Sequence, residues 1–120
     1  MSANSLWNYR PAFQVAVLLG IFTMSGVLEA APVISEFLAS NQSSLEDEDD
    51  ESSDWIEIHN PEASEVDLSG YAISDDPEEP LKWTFPAGTS LPANGRIIVF
   101  ASGKDRLNPN QLHTNFSLAA

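Results

Sequence analysis

From Val33 onward the apolar residues come in short runs, each closed by turn-forming residues, and no stretch of useful length carries helical spacing. Val33-Ile34-Ser35-Glu36-Phe37-Leu38 has the length of a first strand. Asp54-Trp55-Ile56-Glu57-Ile58-His59 alternates with period two, which puts Ile56 and Ile58 on one face until Asn60-Pro61 stops it. Val66-Asp67-Leu68 and Tyr71-Ala72-Ile73-Ser74 are two further strands, closed by Ser69-Gly70 and Asp75-Asp76-Pro77. Leu81-Lys82-Trp83-Thr84-Phe85 alternates again, with Leu81, Trp83 and Phe85 on one face. Leu91-Pro92-Ala93-Asn94-Gly95 reads as a tight turn, because Asn and Gly tolerate positive φ. Arg96-Ile97-Ile98-Val99-Phe100-Ala101 is apolar on both faces, as a central strand should be. A last strand is expected within Leu112 to Leu118. Short strands at this spacing predict an all-β protein of two packed sheets.

The first 30 residues are different. Pro11 to Leu28 holds no charged residue, and only the amino terminus and Arg10 precede it as cations. Small residues at Ala30 and Ala31 suit a signal peptidase, and Pro32 places the cut after Ala30. The expected organisation is therefore a helical signal peptide at 1–30 and a β-sandwich domain at 31–120. An uncleaved anchor and a core helix are the competing readings. Gly20, Thr23, Ser25 and Gly26 weaken a buried helix. The β pattern runs to Ala120 without a closing turn, so the sandwich is expected to be incomplete at its C-terminus and the chain to be the N-terminal part of a longer protein.

Charge removes several function classes. Five Lys+Arg against 18 Asp+Glu give a net charge of −13. Such a surface repels phosphate backbones, which argues against a nucleic-acid partner, and Lys104-Asp105-Arg106 is too small a patch to reverse that. The absence of cysteine excludes disulfides, thiolate zinc sites and a thiol nucleophile. No nucleophile elbow and no Gly-rich phosphate loop occurs.

The ordered series of motifs resembles the lamin-tail domain of the bacterial secreted type. The resemblance is carried by Ile34-Ser35-Glu36-Phe37, Asp54 through Pro61, Val66 through Tyr71, and Ile73-Ser74-Asp75-Asp76. It continues through Lys82 to Pro86, Leu91 to Gly95, Ile98 to Lys104 and Leu112-His113-Thr114-Asn115-Phe116. It implies an immunoglobulin-like β-sandwich that is non-enzymatic in nuclear lamins. In exported bacterial proteins it implies a neighbour of hydrolases, nucleases or spore-coat-protein-H-like kinases. The heptad rod of a lamin is missing, which rejects a filament protein.

Glu46-Asp47-Glu48-Asp49-Asp50-Glu51 is the sharpest chemical feature. Adjacent carboxylates repel, and they relax by spreading into water or by gathering around a cation. Calcium accepts 6–8 oxygens in flexible geometry. Asp47, Asp49, Asp50, Asp54 and Glu57 are therefore the candidate ligands of an irregular calcium site, with a solvated loop as the plain alternative. An EF-hand is excluded because Glu51 stands where that loop needs Gly. The second cluster, Asp75, Asp76, Glu78 and Glu79, lies in a turn stiffened by Pro77 and Pro80. His59 and His113 are expected in structural or surface roles, and Trp55, Tyr71, Trp83, Phe85 and Phe100 in the core. Asn41-Gln42-Ser43 and Asn115-Phe116-Ser117 are glycosylation sequons.

These readings predict a secreted or cell-surface, non-catalytic module. It holds the loops at Leu45–Ser53 and Asp75–Pro80 outward, for a protein or cell-surface partner. The membrane is met only through the leader during export. The alternatives are an accessory domain of a larger secreted hydrolase or kinase and a calcium-stabilised adhesion module.

Overall fold

The computed structural model describes residues 31–119. The expected signal peptide and its cut after Ala30 fall on residues outside these. Nine strands follow one another: β1 (Val33–Leu38), β2 (Trp55–His59), β3 (Val66–Asp67), β4 (Ala72–Ile73), β5 (Trp83–Thr84), β6 (Ser90–Leu91), β7 (Arg96–Phe100), β8 (Arg106–Asn108) and β9 (Gln111–His113). One layer is a five-stranded sheet in the order β1-β2-β7-β9-β8. The pairs β3-β6 and β4-β5 form the opposing layer. No helix occurs among the described residues.

Alternation builds the core as the sequence requires. Ile56 pairs across β2–β7 with Val99, and Ile58 with Ile97, so all four fall on the inner face. Phe37 on β1 and Leu112 on β9 extend that face. Leu68, Ile73, Trp83, Phe85 and Leu91 meet it from the other layer, and Phe116 and Leu118 join the same buried cluster. The result is an immunoglobulin-like β-sandwich with one continuous core.

β7 is central, as its two apolar faces predict: β2 runs antiparallel on one side and β9 parallel on the other. The expected turn before it forms as read. Gly95 N donates to Pro92 O at 2.8 Å, and Asn94 takes φ 57°. Buried Asn60 holds this turn from below, donating from Nδ2 to the carbonyls of Ser64, Leu91 and Pro92.

Three expectations change. Leu81 is 62% exposed rather than inward, because it lies in the turn ahead of β5, where Lys82 N donates to Glu79 O, and the alternation begins only at Trp83. The last strand ends at His113; Asn115 and Phe116 bend away from it, and Ser117 makes a single bridge with Ser102. Arg106–Asn108 forms an additional strand, a hairpin with β9, whose Asn-Pro-Asn turn was the available signal.

Candidate functional site: the acidic loop and its cationic dock

The loop between β1 and β2 folds back over the outer face of the five-stranded sheet. Two polar hubs shape it. Asn41 donates from Nδ2 to Leu45 O (2.7 Å) and Ser53 O (2.9 Å), while its Oδ1 accepts from the backbone N–H groups of Ser43 and Ser44 and from Ser44 Oγ. Asp54 Oδ1 accepts from Asn41 N at 3.0 Å and closes the neck. Asp47, whose side chain has no exposed surface, accepts the backbone N–H groups of Asp49 and Glu51 on Oδ1 and the Ser53 hydroxyl on Oδ2. Asp50 turns the chain with φ 59°. A run of like charges is thus folded by backbone donors aimed at one of its own carboxylates.

The rest of the neutralisation comes from the far end of the chain. Lys104 Nζ lies 2.6 Å from Asp47, 2.7 Å from Asp49 and 3.0 Å from Glu51. Arg106 Nη1 lies 2.6 Å from Glu48 and 2.9 Å from Asp49. Gln111 accepts the Glu48 N–H on its side-chain oxygen. His113, fully buried, sits 2.8 Å from Glu48 through Nε2 and 2.8 Å from Ser102 Oγ through Nδ1. An ionised Glu48 can only accept, so Nε2 presents its proton to the carboxylate; Ser102 Oγ, the partner of Nδ1, also accepts from Lys104 N. Phe100 stacks on the ring at 5.3 Å.

These contacts set the protonation states. Burial pushes the Asp47 carboxyl up, but Lys104, Ser53 and the two backbone donors outweigh it and hold the group far below the usual range. The His113 bond, then Arg106, bring Glu48 down to about 2 against some desolvation. The Lys104 bond lowers Asp49. Burial depresses the Lys104 ammonium, yet its carboxylates together raise it well above the ordinary lysine value. Asp47, Glu48, Asp49, Lys104 and Arg106 are therefore charged across the neutral range.

The five candidate calcium ligands are not brought to one point. Asp47 and Asp49 share Lys104, Asp50 holds the turn, and Asp54 caps Asn41. Glu57 stands on β2, accepting from Ser35 Oγ and lying 3.4 Å from Arg96. Among the described residues, no group of three acidic or histidine side chains is placed to hold a metal ion. Trp55, Phe100 and His113 lie on the outer face beneath the loop rather than in the inner core, and Trp55 Nε1 donates to Ser44 Oγ. In the sequence Lys104 and Arg106 form only a small patch far from the acidic run, and nothing local marks Gln111 as its partner.

The second acidic loop is built separately. Asp75 meets Lys82 Nζ at 2.9 Å, Ser74 Oγ accepts the Asp76 N–H, and Asp76 Oδ1 accepts from Glu78 N. Glu78 and Glu79 point into solvent.

The Lamin Tail Domain family model matches residues 29–119. The chain belongs to the lamin tail domain family. Its members are non-catalytic immunoglobulin-like sandwiches that serve as structural or binding modules. No curated protein and no solved structure matches the chain. In this lamin tail domain the β1–β2 loop is the most elaborately bonded segment outside the sheets, and every Lys and Arg among the described residues is spent on a carboxylate.

Proposed function

We propose that this domain is a non-catalytic binding and spacing module of an exported protein, released by a cut after Ala30, that docks onto basic protein or cell-surface partners. The supporting observation is the pairing of its cations. Lys82, Arg96, Lys104 and Arg106 all face carboxylates. Among residues 31–119, four Lys+Arg against 17 Asp+Glu leave 4 − 17 = −13. A surface with no uncommitted cation and a large carboxylate excess steers basic partners and repels acidic ones. Lys104 and Arg106 offset only two of the six charges at 46–51, so that loop keeps a carboxylate excess, and Asp75–Pro80 adds the exposed Glu78 and Glu79 to the presenting surface.

The test is fluorescence anisotropy of the full chain with a Lys/Arg-rich peptide and a net-neutral peptide of equal length. Binding of the basic peptide should weaken as salt rises and fall in a Glu78→Gln/Glu79→Gln variant. Equal binding of both peptides defeats the reading. Amino-terminal sequencing of exported protein tests the cut; an intact Met1 rejects it.

A further inference from the structure

The two sequons occupy opposite environments. Asn41 is 8% exposed, and both protons of its Nδ2 are used, one on Leu45 O and one on Ser53 O. Its Oδ1 holds the next turn through Ser43 and Ser44. A sugar on Nδ2 replaces one of those protons and puts a bulky polar group where the loop closes. The loop would lose a hydrogen bond and leave a carbonyl without its donor. Asn115 is exposed in the bend after β9. One Nδ2 proton goes to Lys82 O at 2.9 Å, and a sugar in place of the other leaves that bond intact.

We propose that Asn115 is the N-glycan acceptor site compatible with this fold, and that at Asn41 glycosylation and folding exclude each other. The donor class is a lipid-diphosphate-linked oligosaccharide. The Asn115 Nδ2–C1 bond forms, the C1–O bond to diphosphate breaks, the lipid diphosphate leaves with the electron pair, and the Nδ2 proton passes to the transferase base. Phe116 is buried and Ser117 is bridged to Ser102, so transfer belongs to the chain before folding, and the fold then selects among the products. In the folded protein Asn41 is therefore bare, whatever route exports it.

The test is expression of the complete chain behind a secretion leader in a glycosylating eukaryotic cell, with glycopeptide mapping of the folded, protease-resistant pool. The expected result is sugar on Asn115 and none on Asn41. Ser117→Ala should remove the glycan without lowering the folded yield. Ser43→Ala should raise that yield, because it destroys the sequon yet keeps the backbone N–H that serves Asn41 Oδ1. A folded pool carrying sugar on Asn41, or bare at Asn115, overturns the proposal.

Discussion

Lys104 Nζ and Asp47 Oδ2 lie 2.6 Å apart although 57 residues of chain separate them, and the Asp47 side chain has no exposed surface. This contact joins the β1–β2 loop to the segment that leads into the β8–β9 hairpin. Removing the ammonium leaves an inaccessible carboxylate without its main counter-charge.

Lys104→Met is therefore expected to destabilise the domain by about 1–3 kcal/mol, less than a fully buried pair because Lys104 keeps some exposure. Urea denaturation checks it. The same variant leaves Asp47, Asp49 and Glu51 around a position without a cation. Calcium, which favours oxygen ligands, should raise its melting temperature more than that of the wild type.

Glu48 gives a pH prediction. Its folded value of about 2 lies below the ordinary 4.5. A depressed carboxyl contributes stability that is complete above the unfolded value and disappears as pH falls through the folded one. Wild type should therefore exceed Glu48→Gln by a constant margin above pH about 4.5, and the two should converge toward pH about 2. Parallel thermal melts across that range read the difference. A margin unchanged at pH about 2 contradicts the ionic origin of the contact.

Asn60→Ala removes one donor group from three backbone carbonyls and the acceptor for Glu62 N in a fully buried site. The expected loss is about 3 kcal/mol, measured by chemical denaturation. Amide exchange at Gly95 should quicken, because the turn closed by Pro92 O loses its support.

Trp83 behaves in the opposite way. Its Nε1 is buried and has no hydrogen-bond partner among the described residues. Trp83→Phe gives up ring volume but also removes an orphan donor that costs about 1–3 kcal/mol. The net change should stay within about 1 kcal/mol, well short of an ordinary large-to-small core substitution. A loss above about 3 kcal/mol in urea titration would show that the indole packing outweighs the donor.

The main sheet was legible in the sequence where five or six residues of apolar or alternating pattern stood between turn formers, as at Trp55–His59. Val33–Leu38 matched to the residue, and the central place of Arg96–Phe100 followed from its two apolar faces. The two-residue strand Ser90–Leu91 carries too few positions for a period to show. Leu81 misled because one apolar residue ahead of a strand shares its parity without sharing its backbone. The acidic run was visible, but its counter-charges were not. Local sequence holds no cation near Asp47, and the pairing with Lys104 and Arg106 exists only once β8 and β9 are in place.

That arrangement sets an order of events during synthesis. The carboxylates of 46–51 leave the ribosome well before Lys104, Arg106 and His113, and for that interval they have no partners but water and small cations. The early strands can associate, but the segment above them stays unlatched until the β8–β9 hairpin arrives. The loop can therefore close only after the segment carrying Lys104, Arg106 and His113 has been made.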